Sequence, residues 1–280
     1  MDFKRIKVLL LMVSLVFNVY LVYTLYQNIE PDSVNLKMVE ENVEVMLDDR
    51  NISHPPLSKS VETIPFVKVG HTHVLEELIN QLEKQVVEMD AEGRLVSTFD
   101  QPLDLGLDIS ESSREIFPDD RNKLKTQLLD HSGLILFGDK YPIMTYNSAD
   151  KAIVLRMELK SDHPVVDGTG EIRILLDDAH RIIGYTQTYL DTTSFYELEM
   201  PKRIISEQEA FSILDRRSET MIPQDSEVLT VKLGYFNSMS LKDFDVYSPA
   251  WLISYRRADG RVKVVLVDAV RSRTVPRVYE

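Results

Sequence analysis

The sequence predicts an α+β protein: a single N-terminal transmembrane helix, then an extracytoplasmic ectodomain of helix-plus-antiparallel-sheet units. The run Val8 to Tyr26 contains no charged side chain. Short segments of alternating polarity recur between Asp- and Gly-containing turns, and strands joined that tightly run antiparallel. Helical spacing precedes such strands twice, near 118–190 and 206–270, so helices pack on sheets in both places.

Residues 1–7 are a basic cytoplasmic N-terminus, carrying Lys4, Arg5 and Lys7. Residues 8–26, at 1.5 Å each, reach about 28 Å, close to the ~30 Å hydrocarbon core of a bilayer. The basic cluster precedes the run, while Glu30 and Asp32 follow it, so the positive-inside rule exports the remainder. Tyr20, Tyr23 and Tyr26 fall near the outer boundary, where a ring buries its face and hydrates its hydroxyl. A cleaved signal would need a shorter apolar run ending in small residues, and Tyr23-Thr24-Leu25-Tyr26 is too bulky. The leader is therefore expected to stay attached as an anchor.

Residues 27–60 form a juxtamembrane segment. Val34, Met38, Val45 and Leu47, interleaved with Glu40, Glu41 and Glu44, predict a short acidic helix that Asn51 and Pro55-Pro56 end. A first α+β subdomain is expected over 61–200. In it, Ile64–Val69 reads as a strand. Val74, Leu75, Leu78, Ile79, Leu82, Val86 and Met89 recur at helical spacing, with Thr72 as N-cap and Gly93 past the end. Arg94–Phe99 reads as a strand, and Pro118–His131 as a helix with proline in its first turn. Leu134–Phe137, Ile143–Tyr146, Ala152–Leu159, Glu171–Leu176 and Ile182–Tyr189 are further strands. Turns at Asp167-Gly168-Thr169-Gly170 and Asp177-Asp178-Ala179-His180 separate the later ones.

A second subdomain is expected over 201–280. Ser206 and Glu209 form a capping box that opens a helix burying Ala210, Phe211, Ile213 and Leu214. Strands Val228–Phe236, Trp251–Arg256 and Val262–Val267 follow, with a hairpin turn at Asp259-Gly260. Trp251 is expected to pack in the core against the Phe211 helix.

Composition narrows the function. The chain has 280 residues, is 44% hydrophobic and carries a net charge of −13, so it packs a core and lacks the basic footprint of nucleic-acid binding. The acidic ectodomain is equally unsuited to lying on an anionic membrane surface. There are no cysteines, which removes thiol nucleophiles, thiolate zinc sites and iron–sulfur clusters, and tilts toward a bacterial exterior.

No motif carries chemistry. His71-Thr72-His73 is the one close histidine pair, and it lacks further metal ligands at fixed spacing. Gly168-Thr169-Gly170 lacks the third glycine and following helix of a dinucleotide loop, so no cofactor is expected. Ser161-Asp162-His163 is contiguous, whereas triads assemble in space. Asp119-Asp120 suits a helix N-terminus and Asp177-Asp178 a turn. The expectation is no catalytic, cofactor-binding or metal-binding residue. The competing classes are an anchored cell-wall hydrolase, which would use those paired carboxylates, and a ligand- or peptide-binding module.

The order of three segments resembles the YycI family. They are Met1-Asp2-Phe3-Lys4-Arg5-Ile6-Lys7 running into one anchor, Met46-Leu47-Asp48-Asp49-Arg50-Asn51-Ile52 followed by prolines, and Tyr185-Thr186-Gln187-Thr188-Tyr189-Leu190 before the second unit. The resemblance covers nearly the whole chain. It implies an extracytoplasmic ectodomain whose last unit is PepSY-like, and a non-enzymatic accessory role toward an essential two-component sensor histidine kinase controlling cell-wall metabolism in low-GC Gram-positive bacteria. It implies as partners the kinase YycG (WalK) and a YycH-like protein, with transmembrane helices taking part. A homodimer or heterodimer fits this picture.

Asn18 lies near the middle of the membrane run, with Ser14 one turn earlier on the same side. An amide in hydrocarbon gains from a partner on a neighbouring helix, about 0.6–2 kcal/mol. Leu11, Ser14, Asn18, Leu21 and Leu25 are the expected partner-binding face.

Overall fold

A computed structural model describes residue 7 and residues 10–21, 43–110, 116–160, 162–198, 201–215 and 222–275. The chain divides into two compact units, Met1–Asn42 and Val43–Glu280. In the first, residues 10–21 form helix α1. At 1.5 Å per residue α1 reaches about 18 Å. Among the described residues no helix is long and apolar enough to cross a membrane. The rest of the expected span, with Tyr23, Leu25 and Tyr26, lies outside the described residues, as do Val34 and Met38.

The second unit is α+β with antiparallel sheets. It opens with α2 (Val43–Asp49), which buries Val43 and Leu47. Asn51 takes the left-handed conformation just beyond it, and the Ile52 N–H reaches back to the Leu47 carbonyl at 2.9 Å, closing a Schellman-type end. Two short strands follow, β1 (Thr63–Ile64) and β2 (Val67–Gly70).

The expected helix over 74–89 is only partly formed. α3 covers Val74–Leu78, a 3₁₀ turn covers Ile79–Gln81, and Gln85–Met89 is strand β3. Lys84 sits at φ 58°, which breaks the helix before the β-branched pair Val86-Val87. That pair then joins the ladder of β4 (Leu95–Leu103) through the Asp90–Gly93 turn, where Gly93 has φ 78°. Thr72 is not the N-cap: His73 occupies that position, and the Thr72 hydroxyl accepts from the Val74 N–H at 3.2 Å.

α4 (Pro118–Leu124) starts with proline in its first turn, as expected, and continues as a π-helical turn over Lys125–Leu129. Leu134–Phe137 is not a strand but a run of turns. Its apolar side chains Ile135 and Leu136 are buried, and its carbonyls bond side chains rather than a ladder. Tyr185 Oη donates to the Leu134 carbonyl at 2.9 Å, and Gln187 Nε2 to that of Leu136 at 2.7 Å. β5 (Ile143–Asn147), β6 (Ala152–Arg156), β7 (Glu158–Lys160), β8 (His163–Pro164), β9 (Glu171–Leu176) and β10 (Ile182–Gln187) follow.

β3, β4, β10, β9, β6 and β5 pair in that order as one six-stranded antiparallel sheet. Leu95, Ile153, Leu155, Ile172, Ile174 and Tyr185 are fully buried in it, as are Leu124, Leu128 and Ile135 of the segment 118–141. Apolar burial of this extent is the main stabilising term of such a domain.

The second sheet gathers strands from both ends of the unit. β11 (Tyr196–Glu197) pairs β2 in it, while β12 (Lys202–Arg203) pairs β1 in a separate two-stranded sheet. α5 (Glu207–Asp215) precedes three long strands, β13 (Glu227–Ser240), β14 (Phe244–Arg256) and β15 (Val262–Asp268), and then β16 (Arg273–Val275). β14 is the spine: β13 pairs it throughout, β2 pairs Phe244–Tyr247, and β15 pairs Ala250–Arg256. So Val67–Gly70, within the range expected for the first subdomain, belongs by its hydrogen bonds to this sheet.

The capping box of α5 forms as the sequence implies. The Glu209 N–H donates to Ser206 Oγ at 3.2 Å, and the Ser206 N–H to Glu209 Oε2 at 2.6 Å. Trp251 is buried and donates from Nε1 to the Ile205 carbonyl at 2.9 Å, where the chain enters α5. Gly260 turns the β14–β15 hairpin at φ 82°.

Candidate functional site

The two sheets meet at the loop between β8 and β9. The Val166 N–H donates to the Tyr235 carbonyl at 2.9 Å, and a Cβ on Gly234 would stand 2.5 Å from the Pro164 carbonyl oxygen. Asp167 fastens this junction. It is fully buried; its Oδ1 accepts from the Thr169 N–H and hydroxyl at 3.0 and 2.8 Å, and its Oδ2 from the Asn237 N–H at 2.5 Å. Burial pushes its carboxyl up from the ordinary value, against those three donors, which favour the ionised form. Tyr247 Oη donates to Thr169 Oγ1 at 2.9 Å, a second tie between the sheets.

Beside the junction lies a cleft of about 670 Å³. One wall is the β3–β4 turn, with Asp90 and Glu92. The opposite wall is the β2–α3 loop with His71 and His73, then Glu76 on α3 and Asp245 on β14. The ladder explains the meeting of His71 and Asp245. Asp245 pairs Val69 in register, two residues before His71, whose Nε2 lies 3.2 Å from Asp245 Oδ1. Burial works against ionisation of Asp90. Hydrogen bonds from the Arg94 N–H at 2.8 Å and its Nε at 2.7 Å outweigh that and hold the carboxyl below its usual range.

A second groove, of about 340 Å³, has the opposite character, with Arg121, Arg156 and Lys232 among its lining. Each cation has a partner. Arg121 Nε donates to the Ile116 carbonyl at 3.1 Å, Arg156 lies 3.2 Å from Glu171, and Lys232 lies 3.2 Å from Asp162.

The carboxylate pairs of a hydrolase do not assemble here. Asp120 is buried and 3.0 Å from Lys123 on its own helix. Asp177 caps its turn, and hydrogen bonds from the Arg181 backbone and side chain hold its carboxyl low. Asp178 is exposed and pairs with Lys151. Ser161 lies outside the described residues. Among the described residues no three His, Asp or Glu side chains converge to hold a metal ion, the His71–His73 pair included.

Of the expected membrane face, Leu11, Ser14, Asn18 and Leu21 lie exposed on α1, and Leu25 lies outside the described residues. Asn18 Nδ2 donates to the Ser14 carbonyl at 2.8 Å, so the two residues are coupled along the helix. Sequence reasoning singled out His71 and His73 but not Asp245, Glu76 or Asp90. No local pattern marks those three, because only strand pairing brings them to one cleft.

The fold and site define a class: an antiparallel α+β domain built on two six-stranded sheets, with a polar cleft at their junction and no assembled catalytic constellation among the described residues. The chain matches the YycI protein family over residues 31–270 and belongs to that family. No curated protein sequence matches it. Among solved structures it is similar to an uncharacterized protein from Eubacterium rectale ATCC 33656, at 10% identity and a TM-score of 0.40, covering 80% of this chain and 90% of that one. It is also similar to the C-terminal domain of Bacillus megaterium YpeB, at 11% identity and a TM-score of 0.35, covering 88% and 96%.

Proposed function

We propose that this chain is a membrane-anchored, non-enzymatic accessory regulator of a two-component sensor histidine kinase, the YycG/WalK kinase that controls cell-wall metabolism. The observation that carries the reading is the family match over residues 31–270, which spans nearly all of the chain beyond the uncharged N-terminal run. The run 8–26 spans the cell membrane once, the N-terminus is cytoplasmic, and residues beyond 26 are extracellular. The partners are the kinase and a YycH-like protein. The unit of α5 with β13–β15 is the PepSY-like part.

Leu11, Ser14, Asn18, Leu21 and Leu25 form the face that meets the partner helix, since their spacing keeps them on one side of a helix. Asn18 uses its amide nitrogen within its own helix, and its carbonyl oxygen is the acceptor offered across the interface. A regulator biases a two-state kinase only if it contacts the two states differently. A tenfold change in output needs about 1.4 kcal/mol, within the range of one well-packed, hydrogen-bonded helix face.

The test is Asn18→Leu, which leaves the span more apolar. Kinase-dependent transcription changes at constant protein level if the reading holds. Unchanged transcription with full membrane insertion refutes this assignment of the face.

A further inference from the structure

We propose that the groove between β5 and β13 docks a partner protein, which lays an extended acidic segment along the open edge of β13. This goes beyond the regulatory reading and does not depend on it.

The strand edge is the first argument. β13 pairs β14 along one side. Its other side is held at two places among the described residues. Near its start the Val228 N–H donates to the Ser53 carbonyl at 2.8 Å; further on, the Val166 N–H donates to the Tyr235 carbonyl at 2.9 Å. Between them, Leu229–Leu233 meets no second strand. Backbone groups alternate sides along a strand. The Tyr235 carbonyl points away from β14, so the N–H and C=O groups of Val231 and Leu233 do as well. At ~3.4 Å per residue this stretch offers about 17 Å of edge, room for one short added strand.

Charge makes the case specific. The groove of about 340 Å³ beside this edge has Thr230 and Lys232 of β13 on one wall and Arg121 with β5 residues on the other, and no Asp or Glu lines it, in a chain of net charge −13. Arg156 is committed to Glu171 at 3.2 Å. Arg121 is not: among the described residues it bonds only the backbone carbonyls of Ile116 at 3.1 Å and Met144 at 3.4 Å, which carry no charge. Lys232 meets Asp162 at 3.2 Å, but those side chains are 36% and 86% exposed, and water weakens such a pair. Two cations, on α4 and on β13, therefore flank the groove for incoming carboxylates. Leu252 and Val166, members of a buried apolar cluster, add surface for an aliphatic side chain between them. The open N–H and C=O groups select a polypeptide over other polyanions, because only a second backbone supplies both partners in register.

The experiment titrates the full-length chain in detergent micelles by calorimetry. The probe is the capped hexapeptide Ac-Thr-Glu-Val-Glu-Thr-Glu-NH2. Its controls are the same peptide with Lys in place of Glu, two forms N-methylated on alternate residues, and sodium polyphosphate. The expected result is saturable one-to-one binding of the acidic peptide that weakens as salt is added. Lysine replacement weakens it at least tenfold, and so does one of the two N-methylation patterns, the one that blocks the donors facing β13. Arg121→Glu and Lys232→Glu each weaken it at least fivefold. The peptide controls leave the protein unaltered, so they decide the matter even if a variant fails to fold. The proposal is overturned if the acidic peptide does not bind saturably, if the lysine peptide or both N-methylated forms bind as tightly, or if a variant with native melting behaviour binds as tightly as the parent. Polyphosphate binding as tightly as the peptide also overturns it, and would make the groove a site for anionic polymers.

Discussion

Asp167 shows what a single residue contributes to joining the sheets. Its two oxygens accept three hydrogen bonds, so Asp167→Asn keeps one acceptor and turns an N–H toward the Asn237 N–H. The expected loss is about 1–3 kcal/mol of unfolding free energy, read by chemical denaturation. The loss depends on pH. Because burial raises the folded carboxyl above its ordinary 3.8, its contribution is fully present below that value and declines as pH rises through the folded value. Asp167→Asn is therefore more damaging at pH 4 than at pH 7. An equal or larger loss at pH 7 would contradict the burial argument. In the sequence Asp167 reads only as the first residue of a turn, and that much is right. Its partner Asn237 is 70 residues away, beyond any local pattern. The Ser206–Glu209 capping box was legible because both partners stand three residues apart.

At the scale of elements, α2 is the informative case. The segment is joined to the C-terminal part of the unit, not to the strands that follow it in sequence. Gln208 Nε2 donates to Glu44 at 2.9 Å, Arg50 Nη2 to the Ile222 carbonyl at 2.6 Å, and Asn51 Nδ2 to Asp225 at 2.7 Å. Ser53 forms a parallel bridge with Glu227. Leu47 is 1% exposed, so Leu47→Ala destabilises the unit by about 2–5 kcal/mol in the same denaturation assay. A loss under 1 kcal/mol would mean that α2 is dispensable. Its acidic apolar pattern and its Asn51 end were readable; its docking on α5 was not, since nothing local encodes a partner about 160 residues on. The opposite failure occurs at 74–89. Apolar spacing fits a helix there, but Val86 and Val87 gain more by pairing in β3, and tertiary context overrides periodicity. Leu134–Phe137 has strand-like composition, yet its carbonyls are bonded by Tyr185 and Gln187 side chains.

For the molecule as a whole, the α+β class and the antiparallel meanders were legible because turns such as Asp259-Gly260 and alternating strands are local signals. The arrangement of the sheets was not, because β14 recruits β2 from about 175 residues earlier. The cleft inherits that opacity: its carboxylates come from segments that the ladder alone brings together. The proposed function rests instead on the family match over residues 31–270, with the uncharged run ahead of it. The most direct measurement is photo-crosslinking in native membranes from single positions along residues 11–25. The account predicts capture of the kinase or a YycH-like partner from Leu11, Ser14, Asn18, Leu21 and Leu25, and none from Val13, Val16 or Tyr20 on the other side. Equal capture from every position, or a mature chain beginning after Tyr26 in the culture medium, would contradict it.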